Sequence, residues 1–152
     1  MMAGVNLQPI IIVEDSDDDF EATERALKRD GPIANPLVRF DNGQDALDYM
    51  FNRPPYEDRA ANPIPAIVLL DLNLPGVDGR QVLTELKNSE ATQKIPVVIM
   101  TTSDDPRDVN SSYAKGANSY LRKPVALEDL FRTIQLFKEY WLSVAILPKV
   151  GE

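Results

Sequence analysis

The sequence contains no cysteine and no histidine. The first absence removes disulfides and thiol chemistry. The second removes an imidazole base and histidine-ligated metal sites, so a zinc centre is effectively excluded. Basic runs are also missing: no stretch of Lys or Arg exceeds two residues and the formal net charge is −8, which leaves no cationic footprint for nucleic acid or an anionic membrane. No apolar stretch approaches the ~18 residues of a spanning helix, and the opening MMAGVNLQP lacks a basic signal region. A soluble, cytoplasmic protein with neither a nucleic-acid nor a membrane partner is the expectation. The 152 residues, 43% of them hydrophobic, suit one domain over 1–152, with its core over about 7–143 and a C-terminal tail over 144–152.

Short apolar runs punctuate the chain: IIIV at 10–13, LVRF at 37–40, AIVLL at 66–70, VVIM at 97–100 and YL at 120–121. The first, third and fourth are apolar throughout, the pattern of strands covered on both faces of a parallel sheet. Helical stripes lie between them. Ala46, Leu47, Met50 and Phe51 share one face of 44–51, and Val82, Leu83 and Leu86 one face of 79–88. Residues 16–29 turn Phe20, Ala26 and Leu27 inward, while 106–115 has only Val109, Tyr113 and Ala114 to bury and is expected to pack most loosely. A last helix runs from about Leu127 to Ser143. This βα alternation predicts an α/β fold with a doubly wound five-stranded parallel sheet and right-handed crossovers. The segment 52–65, NRPPYEDRAANPIP, holds four prolines and reads as a stiff surface loop. A neutral insertion is favoured there over a partner-contact loop.

Ligands of such sheets bind beyond the C-terminal strand ends. Glu14 and Asp15 follow the first strand, Asp71 the third, Thr101 and Thr102 the fourth, and Lys123 the fifth. If the first strand sits between the second and third, the carboxylates share one rim. They repel one another unless a cation intervenes, and an all-oxygen set suits Mg²⁺. The metal and Lys123 could neutralise an incoming phosphoryl group, Thr101 could hydrogen-bond it, and a carboxylate could attack phosphorus to give an acyl phosphate. Asp17, Asp18 and Asp19 follow Ser16, a candidate N-cap, and read as helix-dipole charges in preference to metal ligands. An EF-hand reading of DSDDDF fails, because Phe20 stands where glycine is needed and Ala26 where the bidentate glutamate belongs.

Five motifs in order, VED, DNGQDAL, LLDLNLPGVDG, IMTT and AKGANSYLRKP, resemble the receiver domain of two-component response regulators over nearly the whole chain. The resemblance implies a flavodoxin-like (βα)5 fold with strand order 2-1-3-4-5. It implies a phosphoprotein in which Asp71 accepts a phosphoryl group from a histidine kinase. Asp15 and Asp71 would ligate Mg²⁺ directly, Glu14 would act through water, and the main-chain carbonyl of Asn73 would complete the protein ligands. Thr101 would be the switch hydroxyl, Lys123 the phosphoryl contact, and Tyr120 the aromatic whose rotamer reports the switch. Pro124 is expected after a cis peptide bond that holds the Lys123 loop. Thr102, where family members carry a smaller residue, would restrict access to the phosphoryl group and affect its lifetime. Asn73 and Ser103 would tune hydrolysis of the acyl phosphate.

The chain is therefore expected to be a signalling protein and not an enzyme, altering protein–protein contacts once phosphorylated. The alternative is a phosphotransfer intermediate or phosphate sink that passes its phosphoryl group to a histidine phosphotransfer protein. A Mg²⁺-dependent aspartyl phosphohydrolase is disfavoured, since haloacid-dehalogenase-like enzymes need an acid two residues after the nucleophile and this chain has Asn73.

The last helix has apolar residues to spare. Leu130, Ile134, Phe137 and Trp141 form a stripe for the sheet, leaving Phe131, Leu136, Tyr140 and Leu142, to be covered by another surface or by the SVAILP tail folding back. The Pro-rich loop and the ending YWLSVAILP resemble the small stand-alone response regulators of bacterial and cyanobacterial phytochrome kinases. That narrower resemblance implies a phytochrome-type histidine kinase as partner. It also implies a homodimer through the last helix and tail, around Phe131, Leu136, Tyr140 and Ile146.

Overall fold

The computed structural model describes residues 7–150; the first six residues of MMAGVNLQP and the last two of the tail lie outside the described residues. Five strands alternate with five helices: β1 (Ile10–Val13), α1 (Asp17–Lys28), β2 (Leu37–Phe40), α2 (Gly43–Met50), β3 (Ile67–Leu70), α3 (Gly79–Lys87), β4 (Val97–Thr101), α4 (Pro106–Ala114), β5 (Ser119–Arg122) and α5 (Leu127–Glu139). The strands are parallel, in the order β2-β1-β3-β4-β5. This is the flavodoxin-like receiver arrangement expected from the sequence.

The unbroken apolar runs follow from burial on both faces. On one side of the sheet Ile11, Val13, Val68, Leu70, Val97 and Ile99 meet Leu47, Met50, Val82, Leu83 and Leu86 of α2 and α3. On the other, Ile10, Ile12, Ile67, Leu69, Val98 and Met100 meet Ala26 and Leu27 of α1 and Leu130, Ile134 and Phe137 of α5. Successive strand side chains point to opposite faces, so only a strand apolar at every position supplies both layers. Side-chain oxygens of Ser16, Asn42, Asp78 and Asp105 cap the first four helices, each accepting a backbone N–H of its first turn.

Several expectations need correction. Tyr113 and Ala114 are exposed, and the only residue α4 buries is Ser112. This helix flanks the β5 edge, where there is little sheet to cover. The last helix keeps α geometry only to Glu139, and Tyr140–Val144 continue as a π-helical turn in which the Ala145 N–H donates to the Tyr140 carbonyl at 2.7 Å. Phe131 and Leu142 are not left over: both pack at the edge of the α1/α5 core. The tail divides, with Val150 packed against the α2/α3 core and Ile146 98% exposed.

The Lys123–Pro124 bond is not cis; the cis peptide among the described residues is Pro54–Pro55. Lys123 is already held by its N–H, which donates to the Thr101 carbonyl at 2.6 Å, and by its side-chain contacts, so the trans form normally preferred by X–Pro bonds places it. The Pro-rich loop folds back onto its own chain. Tyr56 meets the Phe40 ring edge-on and the Tyr49 ring at a tilt, and the Arg59 guanidinium donates to the carbonyls of Tyr49, Met50 and Asn62, a cation at the C-terminal end of α2.

Candidate functional site

Register decides where the acids meet. Val13 pairs with Phe40 on one side and with Leu70 on the other, so Glu14 and Asp71 leave adjacent strands at the same level. Backbone bonds carry the alignment one residue further: the Glu14 N–H donates to the Phe40 carbonyl at 3.0 Å, and the Asp71 N–H to the Val13 carbonyl at 3.1 Å. Carboxylate oxygens of Glu14, Asp15 and Asp71 all lie within 4.8 Å of one another. Asp15 is exposed, whereas Glu14 and Asp71 are buried.

Lys123 enters this group from beyond β5. Its ammonium donates to Glu14 Oε1 at 2.6 Å, Asp19 Oδ2 at 2.9 Å and Asp71 Oδ2 at 3.0 Å, with only 8% of the side chain exposed. Burial pushes the Glu14 carboxyl up to about 7, against the hydrogen bond and charge of Lys123, with the Asp71 charge adding to the rise. Burial likewise works against the Lys123 ammonium. Its hydrogen bonds to Glu14 and Asp19 and the charges of Glu14 and Asp71 outweigh that, holding its pKa above the ordinary lysine range. Buried ion groups of this kind contribute little net stability compared with apolar packing, so their presence here points to function.

Asn73 ties the acceptor candidate to the hydroxyl candidate. Its N–H donates to Asp71 Oδ1 at 3.1 Å, and its side-chain amide donates to Thr101 Oγ1 at 3.4 Å. Thr101 is fully buried, while Thr102 beside it is exposed. The Tyr120 ring packs inward, half-buried against the α2/α3 core, and its hydroxyl donates to the Ser103 carbonyl at 2.9 Å. Ser103 is turned towards α4, its hydroxyl donating to Asp108 Oδ2 at 2.7 Å; Asp108 in turn accepts from Arg80 of α3 at 3.0 Å. The structure thus brings Glu14, Asp15, Asp71, Asn73, Thr101 and Lys123 to one rim and sets Tyr120 behind it.

Three contributors escaped the sequence reading. Asp19 is not only a helix-dipole charge, since its carboxylate reaches Lys123. The Ser16 N–H donates to Glu14 Oε2 at 3.2 Å, which leaves the Asp19 carboxylate for Lys123. Arg39 of β2 donates twice to the Glu14 carbonyl, at 3.1 and 3.0 Å, and pairs with Asp17 at 2.7 Å. No local pattern marks that contact. Gly79 packs directly under the Asp71 main chain, at the end of the LPGVDG segment.

The dimer candidates lie on α5, on the turn that continues it and in the tail. Leu136, Tyr140 and Ile146 are exposed, and Leu136, Tyr140, Phe137, Trp141 and Leu121 line a surface groove of about 270 Å³. Phe131 is half-buried within its own chain, with the Arg29 guanidinium 4.9 Å above its ring. A larger pocket of about 640 Å³ lies away from the acids, between β2 and the Pro-rich loop, walled by Val38, Phe40, Tyr49, Tyr56 and Pro63. No helix among the described residues is long and apolar enough to cross a membrane.

Comparison with known proteins agrees with this geometry. Residues 10–135 match the family described as response regulator receiver domain. The chain is 41% identical over 134 residues to the probable methanogenesis regulatory protein FilR2 of Methanothrix harundinacea, covering 88% of this chain and 83% of the relative. It is 39% identical over 139 residues to the response regulator Rcp1 of Synechocystis sp., covering 91% and 92% of the two chains. The Mn²⁺-bound crystal structure of Rcp1 superposes with a TM-score of 0.87 at 38% identity, over 93% of this chain and 99% of that one. The crystal structure of the phosphorylated cyanobacterial phytochrome response regulator RcpA superposes with a TM-score of 0.88 at 34% identity, over 94% and 99%.

Proposed function

Because the chain belongs to the response regulator receiver domain family, we propose that Asp71 accepts a phosphoryl group from a histidine kinase and that the modified protein signals through altered contacts with other proteins. The observation that carries this reading is the placement of the Lys123 ammonium 3.0 Å from Asp71 Oδ2 on a rim shared with Glu14 and Asp15. An Asp71 carboxylate oxygen forms the new bond to phosphorus. The phosphorus–nitrogen bond of the phosphohistidine breaks, and its electron pair stays on the imidazole nitrogen. Lys123 balances the charge that arrives on the acceptor, and the Thr101 hydroxyl hydrogen-bonds a phosphoryl oxygen.

The all-oxygen donor set fits a hard divalent cation, and Mg²⁺ is the ion proposed: Asp15, Asp71 and the Asn73 carbonyl would bind it directly and Glu14 through water. When bound it supplies charge neutralisation between the carboxylates and the phosphoryl oxygens. Asn73 at the second position after the acceptor supplies an amide and no acid, which supports a switch over a phosphohydrolase.

Similarity to Rcp1 and to a phytochrome response regulator supports a phytochrome-type histidine kinase as donor. The exposed Leu136, Tyr140 and Ile146 support a homodimer through α5 and the tail. Thr101 and Tyr120 would carry the switch, since movement of the Thr101 hydroxyl towards the phosphoryl group would loosen the loop carbonyl that holds the Tyr120 hydroxyl.

The deciding experiment is intact mass after incubation with acetyl phosphate, with and without Mg²⁺, beside Asp71→Asn. A single Mg²⁺-dependent phosphoryl adduct absent from the variant is expected. An adduct that survives in Asp71→Asn, or no adduct on folded protein with either acetyl phosphate or a phosphorylated kinase, would overturn the assignment.

A further inference from the structure

We propose that Asp19 is a positioning residue that competes with the phosphoryl group for Lys123 and so restrains phosphorylation of Asp71; this rests on the reading of Asp71 as phosphoacceptor. An ammonium has three N–H donors, and carboxylates take all of them: Glu14 at 2.6 Å, Asp19 at 2.9 Å and Asp71 at 3.0 Å. A phosphoryl oxygen can receive an N–H from Lys123 only if one of these bonds gives way or is handed over.

The three partners differ in what it costs to release them. The Glu14 side chain is 7% exposed, and its second carboxylate oxygen accepts the Ser16 N–H at 3.2 Å. Losing Lys123 would leave it a buried, uncompensated charge. Asp71 is the reacting group, and its bond to Lys123 passes to the phosphoryl oxygens. The Asp19 side chain is 42% exposed, so water can replace the ammonium there at little cost. Asp19 is therefore the partner that yields. Until it does, it withholds one of the three N–H donors of Lys123.

The contact is built into the start of α1. The Ser16 hydroxyl accepts the Asp19 N–H at 3.2 Å, and the Asp19 carbonyl accepts from the Thr23 hydroxyl at 2.9 Å. Both bonds use the Asp19 main chain, so replacing its side chain leaves the helix start intact.

The experiment measures the rate of the Asp71 adduct from acetyl phosphate in Mg²⁺ by intact mass. In that reaction an Asp71 oxygen bonds to phosphorus and acetate leaves with the electron pair of the broken phosphorus–oxygen bond. Asp19→Asn is expected to raise the second-order rate constant by about three- to tenfold, and Asp19→Ser should act in the same direction. Asp18→Asn, exposed in the same turn and outside the set of Lys123 partners, should change it less than about twofold. In a Lys123→Gln background the gain from Asp19→Asn should vanish, as a double-mutant cycle requires of a residue acting through Lys123. An unchanged or slower rate in folded Asp19 variants would overturn the inference, as would a gain that persists in full without Lys123 or is matched by Asp18→Asn. Those failures leave the Asp71 assignment standing, whereas a wild-type chain that forms no adduct removes both.

Discussion

Gly79 at the start of α3 lies against the main chain of Asp71, so that a Cβ at that position would overlap the Asp71 carbonyl oxygen and crowd the Leu72 Cα. The candidate acceptor is thus held from behind by a helix terminus, whose Gly79 N–H donates to the Leu72 carbonyl at 2.9 Å. Gly79→Ala should destabilise the fold by about 1–3 kcal/mol, the range for overpacking. Urea titration measures it, and a loss below about 0.5 kcal/mol would show that the backbone yields easily.

Divalent cation should stabilise the protein through the acid cluster. A ligand at one hundred times its dissociation constant adds about 2.7 kcal/mol, so saturating Mg²⁺ should raise Tm by several degrees relative to chelator. Asp15→Asn should abolish that increment, because Asp15 is the exposed member of the set. An equal increment in the variant would move the cation elsewhere.

Arg39 reaches from the edge strand to fasten the Glu14 carbonyl. By this it fixes the direction in which Glu14 and Asp15 leave β1. Arg39→Ala should weaken Mg²⁺ binding by about tenfold, as loss of outer-shell support does at other metal sites. Calorimetric titration reads this directly. Unchanged affinity would mean that strand pairing alone aims the acids.

The dimer proposal meets its test at Leu136, which is 57% exposed beside Tyr140. Leu136→Glu should shift the chain to monomer in sedimentation velocity while leaving the rate of Asp71 phosphorylation within about twofold of wild type, because no core contact is removed. A dimer of undiminished affinity would place the interface elsewhere. A wild-type chain that sediments as a monomer, phosphorylated or not, would remove the homodimer from the proposal.

Much of this site was legible because receiver-like chemistry sits where apolar runs end. Glu14, Asp15 and Asp71 follow strands that are apolar throughout, Thr101 ends another, and Lys123 follows the short β5; the fold rule for parallel sheets places such residues together. Asp19 and Arg39 were not legible as site residues. One belongs to an acidic turn that local energetics already explains, and the other to a strand residue with no motif. What makes them part of the site is a contact with an atom supplied by a distant element, Lys123 for Asp19 and the Glu14 carbonyl for Arg39. The packing of the Pro-rich loop was not legible for a similar reason. Proline marks it as stiff, but its packing depends on Phe40 and Tyr49 presenting rings that Tyr56 can meet.

By itself the sequence determined the local geometry. Four-residue apolar runs had to be strands buried on both faces, stripes at helical spacing had to face the sheet, and carboxylates at the strand ends had to crowd. These follow from the two-residue and 3.6-residue periods of the chain and from the cost of burying or clustering charge. Only the tertiary structure decided the pairings: Val13 beside Leu70, Asp19 on Lys123, Arg39 on the Glu14 carbonyl, Tyr120 on the Ser103 carbonyl, and Phe131 beneath Arg29 while Leu136 and Tyr140 stay exposed. Each pairing depends on strand register and helix placement. Those are set by the packing of the whole core, where a displacement of one residue would turn the same side chains to the opposite face.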